Sequence, residues 1–237
     1  MKKLTKAIAL AGVMTTGLTG AQLAQAEVDV SASAAVANMY LWRGTNLGSP
    51  GVPAVSGDLS VSSGGAYGGV WASSGDTSAG TEFDLYVGYG GEVEDFSYDI
   101  SAWTYVYPGS PDDEDTLADE SESNLGELSE LILSLGYAGA SFSYYYPLAG
   151  DGNDDYSYMT LGYGIDAYSA TIGISDDEGE DADYVHLDLS YAYNDNISFT
   201  LSKVIDKTDA EDFDSADSEE IDDDLLVVVS YSLPIDL

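Results

Sequence analysis

Seven residues carry the chain's capacity for chemistry: Arg43, Glu82, Asp84, Asp99, Glu130, His186 and Asp188. Arg43 is the only arginine and His186 the only histidine. Glu82 and Asp84 are two residues apart, as are His186 and Asp188. On a strand that spacing puts both members of a pair on one face. Carboxylates gathered inside an enclosed space raise the local cation concentration and repel anions. Arg43 among them would pair with a carboxylate such as Glu82 or Asp84, a structural ion pair. A snorkelling arginine at an interface is the plainer alternative. His186 beside Asp188 could serve as a base only with a nucleophile and an orienting group around it. The sequence has no G-x-S-x-G element and no distinctive Ser motif, so a hydrogen-bonded structural histidine is expected and enzymatic activity is not. The acidic runs do not fit an EF-hand loop, and no Gly-rich phosphate loop is present. The chain has no Cys, hence neither disulfides nor thiol chemistry. No cofactor or metal is expected.

These residues sit on strands. In TEFDLYVGYG, Thr81 to Gly90, the apolar Phe83, Leu85, Val87 and Tyr89 alternate with Glu82, Asp84, Tyr86 and Gly88. One face is apolar, the other acidic or small, Tyr86 excepted. Val185, Leu187, Leu189 and Tyr191 alternate likewise with Tyr184, His186, Asp188 and Ser190. Leu225, Val227, Val229 and Tyr231 alternate with a set that is half apolar, so that strand's inner face is less defined. The pattern recurs over twelve segments: Val30–Arg43, Ala54–Ser62, Ala66–Ser73, Glu82–Tyr89, Phe96–Tyr107, Leu125–Tyr137, Ala140–Tyr146, Tyr156–Ile165, Tyr168–Ser175, Tyr184–Tyr193, Ile197–Val204 and Leu225–Leu233. The fold class this predicts is all-β: a transmembrane, up-and-down antiparallel β-barrel of about twelve strands, an even number as such barrels require.

Alternate connections differ in length. Ser63–Gly65, Gly90–Asp95, Ala138–Gly139, Asp166–Ala167 and Asn194–Asn196 are short, whereas the intervening ones are mostly longer. Short turns at one end and long loops at the other suit a membrane barrel better than a Greek-key sandwich. Among the 19 Tyr, 3 Trp and 5 Phe, seventeen fall toward strand ends, as two girdles around an aliphatic band would. Tyr40, Trp42, Trp71, Phe83, Trp103, Tyr105, Tyr145 and Tyr184 would form the girdle at the loop end. Trp103, Tyr105 and Tyr184 share the parity of polar neighbours and point inward in an alternative reading. Tyr67, Tyr89, Tyr98, Tyr137, Tyr163, Tyr168, Tyr191, Tyr193 and Tyr231 would form the girdle at the turn end.

Residues 1–26 read as a secretory leader: Lys2, Lys3 and Lys6, a short apolar run, then Ala24-Gln25-Ala26. The mature domain is then 27–237. The chain holds 43 Asp and Glu against 6 Lys and Arg, a formal charge of −37. After the leader only Arg43, Lys203 and Lys207 remain basic, which excludes nucleic acid as a partner. Three acidic runs, Asp112–Glu130, Asp176–Asp183 and Asp209–Asp224, occupy or begin in long connections. They suit either a solvated surface or a cation-attracting vestibule, and a high-salt habitat would select the same acidity.

The motifs YLWRG (Tyr40–Gly44), PAVSG (Pro53–Gly57), YGGVWAS (Tyr67–Ser73) and EFDLYVGYG (Glu82–Gly90) resemble the TorF family of predicted porins, as do WTYVYP (Trp103–Pro108) and SFSYYYP (Ser141–Pro147). The resemblance implies an outer-membrane barrel of a Gram-negative bacterium, with unassigned substrate and no catalytic residues. The chain ends Leu233-Pro234-Ile235-Asp236-Leu237, without the terminal aromatic common in such barrels. Residue pattern and resemblance together lead to one expectation: an outer-membrane channel with cation preference. Its partners would be outer-membrane lipid, small cationic or neutral solutes and the barrel-assembly machinery. A non-conducting structural or adhesive barrel, a barrel enzyme at His186 and a soluble periplasmic β-protein are the alternatives.

Overall fold

The computed structural model describes residues 28–77, 79–108, 125–126, 128–149, 156–177, 183–207 and 221–235. The expected leader and most of the three acidic runs lie outside these residues.

Strict two-residue alternation leaves each strand one apolar and one polar face, and a sheet of such strands must separate the two. Here it does so by closing. Twelve strands form an antiparallel barrel in chain order: β1 (Asp29–Ala37), β4 (Ala54–Ser63), β5 (Ala66–Ser73), β6 (Glu82–Val93), β7 (Phe96–Val106), β8 (Leu128–Tyr137), β9 (Ala140–Ala149), β10 (Tyr156–Ile165), β11 (Tyr168–Asp177), β12 (Tyr184–Ala192), β13 (Ile197–Lys207) and β14 (Leu226–Ile235). The seam joins β1 to β14, with Ala32 opposite Ile235 and Ala37 opposite Ser230. Among the described residues, closure leaves no edge of the barrel sheet unpaired.

The apolar set faces outward. Val87 is 63% exposed while Glu82, on the same strand, is 2% exposed. Leu59, Leu85, Ile100, Leu133, Leu161, Ile172, Leu189, Leu201, Val227 and Val229 are likewise exposed. An apolar belt running round the whole molecule is far larger than the patches soluble monomers expose. On β14 the inward set is Leu226, Val228, Ser230 and Ser232, with Val228 fully buried.

The turn ends are tight. Gly64 and Gly65, and Ala138 and Gly139, all have positive φ, which matches the right-handed twist of the strands they join. Outside them stands a ring of outward aromatics: Tyr89, Tyr137, Tyr163, Tyr168, Tyr191, Tyr193 and Tyr231 are exposed and Tyr98 half-buried. Tyr67 departs from the expected ring. It points inward and donates to both Asp99 oxygens, at 2.8 and 2.9 Å.

The girdle expected at the loop end is overturned. Of its eight members only Phe83 faces outward; Trp103 and Tyr184 are buried inside, in keeping with the alternative reading of their parity, Tyr40 is buried with them, and Trp71 lies opposite the inward Asp84 and beside the Tyr40 ring. Tyr146, outward on β9, stands nearer that end instead. The inward rings share strand parity with the carboxylates, and their hydroxyls and faces satisfy charges that would otherwise be buried alone.

The first strand is also shorter than its pattern suggests. It stops at Ala37 because Asn38 imitates a ladder rung: its side chain donates to the Val227 carbonyl at 3.0 Å and accepts from Val229 N at 2.7 Å. The chain then leaves the wall as a small hairpin, β2 (Leu41–Trp42) paired with β3 (Thr45–Asn46).

Candidate functional site

The β2–β3 hairpin lies inside the barrel. Leu41, Arg43 and Tyr40 are all buried, although each belongs to a connection. The tip residues Arg43 and Gly44 both have positive φ, 48° and 86°, a two-residue turn that favours Gly or Asn. Arg43 there costs about 1 kcal/mol or more of backbone strain. The tip is held by Thr45 Oγ1 donating to the Trp42 carbonyl at 2.9 Å and by Tyr184 Oη donating to the Arg43 carbonyl at 3.0 Å.

Arg43 reaches across the lumen to β8. Its Nη2 donates to both Glu130 oxygens, at 2.8 and 2.6 Å, and its Nη1 to Tyr156 Oη at 2.9 Å. Tyr105 Oη donates to Glu130 Oε2 at 2.7 Å. The guanidinium carbon lies 4.2 Å from the Trp42 ring centroid, 4.6 Å from Tyr158, 4.9 Å from Tyr145 and 5.4 Å from Tyr156. All four distances are within cation–π range. Glu82 and Asp84, expected as Arg43's partners, are not: the tight hairpin carries the guanidinium past β6 to Glu130.

Glu82 is instead bonded by the Tyr40 hydroxyl. Burial, reinforced by the Glu82 charge, raises the Tyr40 and Tyr107 phenols well above their ordinary pKa. They stay protonated and able to donate. Asp84 shares the Glu82 face and is equally buried, and its Oδ1 has no hydrogen-bond partner. Asp99 lies half-buried lower in the lumen, under Tyr67. Asp58 on β4, absent from the sequence-derived set, accepts from Tyr86 Oη at 2.6 Å, and the Tyr86 ring stacks on Trp103 at 4.3 Å.

His186 is 1% exposed. Its Nε2 is 2.7 Å from Tyr158 Oη and its Nδ1 is 3.2 Å from Asp188 Oδ1. Two glycines make room for the ring. A Cβ on Gly173 would stand 2.0 Å from His186 Nε2, and one on Gly44 would stand 2.4 Å from its Cγ. The hairpin tip therefore packs directly on the imidazole.

The seven sequence-derived residues thus lie inside the barrel as two groups and an outlier. Arg43 and Glu130 form one, joined by Tyr158 to His186 and Asp188; Glu82 and Asp84 stand on β6; Asp99 sits apart. What sequence reasoning missed is most of the tyrosine set that binds them: Tyr40, Tyr145, Tyr156 and Tyr158, whereas Tyr105 and Tyr184 point inward as the alternative reading of their parity has it. Parity carried the signal. Tyr184 shares the face of His186 and Asp188, and Tyr105 that of Trp103 and Asp99.

A family model, Gcw_chp, described as a bacterial protein of unknown function, matches residues 21–230. The chain belongs to that family. No curated protein matches it. Among solved structures, the crystal structure of the COG4313 outer membrane channel from Pseudomonas putida F1 is similar at 11% identity, over 94% of this chain and 100% of that one, with a TM-score of 0.37. The family's description names no activity, and the TorF resemblance stays an expectation beside it.

Proposed function

We propose that the protein is an outer-membrane channel for small solutes, with a preference for cations, whose lumen is narrowed by its own hairpin. The observation that carries this reading is the inward set Glu82, Asp84 and Asp188, each nine-tenths or more buried inside a barrel with an apolar exterior, while the one inward arginine is already matched by Glu130. Such a wall holds the lumen at negative potential, and in a confined space two charges about 4 Å apart interact by between 1 and roughly 4 kcal/mol. The exposed belt and the outward tyrosine ring support a bilayer location, with outer-membrane lipid and the barrel-assembly machinery as partners. His186 has both nitrogens engaged by Tyr158 and Asp188, which supports a structural role and no enzymatic one.

The test is single-channel recording of refolded protein in planar bilayers under a KCl gradient. The reversal potential should show cation preference that persists at high salt, and Asp84→Asn with Asp188→Asn should reduce it. Anion preference would overturn the reading. One observation favours a second reading: the hairpin and its ring cluster fill the lumen at the loop end. Well-folded protein that never conducts would establish a closed structural or adhesive barrel.

A further inference from the structure

We infer that the pocket now filled by Arg43 is a binding site for guanidinium-bearing solutes, with the hairpin's own arginine standing in for the solute. The inference deepens the channel reading and rests on it for the solute's route, though not for binding itself.

Three observations converge. The first is the pocket's chemistry. Glu130 presents both oxygens to one terminal nitrogen of a planar cation, Tyr156 accepts from the other, and the faces of Tyr145 and Tyr158 line the sides at 4.9 and 4.6 Å. A carboxylate plus aromatic faces recognises an organic cation rather than a hydrated metal ion. All four of these groups belong to the barrel wall, on β8, β9 and β10, and remain when the hairpin is elsewhere. Their carboxylate is itself held, by Tyr105 from β7.

The second observation is that the occupant is badly matched to its own backbone. Arg43 holds a φ of 48° where Gly or Asn is favoured. Backbone strain of this kind persists where surrounding contacts over-determine it and clusters at ligand clamps and switches. The third is that the barrel closes without the hairpin. Every wall strand is paired on both sides by other wall strands, and β2 pairs only with β3. The arginine is thus a removable occupant. A tethered group competes with a free ligand as if present at millimolar or higher concentration, so a solute entering the lumen would meet the pocket only as the hairpin withdraws.

Titration calorimetry on refolded, detergent-solubilised protein tests this without requiring conduction. The probes are guanidinium chloride and L-arginine amide, with NaCl at equal ionic strength as the control. Arg43→Ala should bind both probes at least about tenfold more tightly than wild type. Adding Glu130→Gln to that variant should abolish the gain. Binding by Arg43→Ala no tighter than wild type, or unchanged by Glu130→Gln, overturns the proposal. So does a response to NaCl equal to that to guanidinium. Arg43→Gln serves if Arg43→Ala does not refold. Should both fail, refolding yield decides: about 50 mM guanidinium chloride should raise the yield of Arg43→Ala about threefold over NaCl if a specific cation pocket exists, and no rise would overturn it. Tight binding without conductance would reject the channel while leaving the pocket in place.

Discussion

Arg43 and Glu130 are buried together, with side chains 6% and 5% exposed. Desolvating two charges is expensive, and removing one partner is worse than removing both, because the survivor is left unpaired. Glu130→Gln should therefore destabilise the barrel by roughly 3–5 kcal/mol, whereas Arg43→Met with Glu130→Leu should cost much less. The midpoints of urea unfolding, followed by loss of heat-modifiable gel migration, would show the order. A double variant as unstable as Glu130→Gln would mean the pair contributes more than mutual compensation. The same scale explains Gly173. Its side-chain position is occupied by His186 Nε2 and the Tyr158 hydroxyl, 2.0 and 2.4 Å from where a Cβ would stand. Gly173→Ala must push the imidazole from its place, loosen the hairpin packed above it and raise conductance. Unchanged conductance in a folded Gly173→Ala barrel would show that the hairpin does not lean on His186.

Among elements, the strand walls were legible in the sequence and the hairpin was not. The alternation in β6 and β12 is uninterrupted, and each interior face is marked by charge. Two-residue turns such as Ala138–Gly139 announce themselves through a residue that tolerates positive φ. Strand β1 has no such contrast. Its Ser and Ala alternate weakly, and Tyr40 and Trp42 continue the rhythm past Ala37, so Val30–Arg43 reads as one strand. Only Asn38 and Arg43-Gly44 mark the break, and Asn38 acts through a partner on β14 that is distant in sequence. The missing girdle has a related cause. Period-two parity fixes which residues share a face but not which face is inside, and a ring beside a carboxylate looks the same in either setting. The outward assignment is open to direct test at Val87, mid-strand and 63% exposed. Val87→Arg should cost roughly 2–4 kcal/mol in lipid, as expected near the bilayer midplane, and Val87→Leu almost nothing. Equal stability of the two would place Val87 away from the bilayer's hydrocarbon.

For the whole molecule, orientation and closure matter most. An epitope inserted between Asp112 and Asn124, or between Asp209 and Asp223, should be accessible to antibody on intact cells, and one at Ala138-Gly139 should not. The reverse labelling would invert the topology. Ionic strength should separate wall from loop: the loop acids act over a Debye length that grows from about 10 Å at 0.1 M to about 30 Å at 0.01 M, so their effect on selectivity should appear only in dilute salt. The hairpin's address has a further consequence. It lies between β1 and β4 in the chain, yet its anchors are Glu130 on β8, Tyr156 on β10 and Tyr184 on β12. None of these exists as a docking partner until most of the wall has been laid down, and such distant contacts form slowly. Seating the hairpin is then among the last events of maturation, at or after the moment the first and last strands meet. During refolding into micelles, β-sheet circular dichroism should reach its final value before the fluorescence of Trp42 does, and Trp42→Phe should remove the slower phase. The protein would pass through a brief life as an open cylinder before it closes itself.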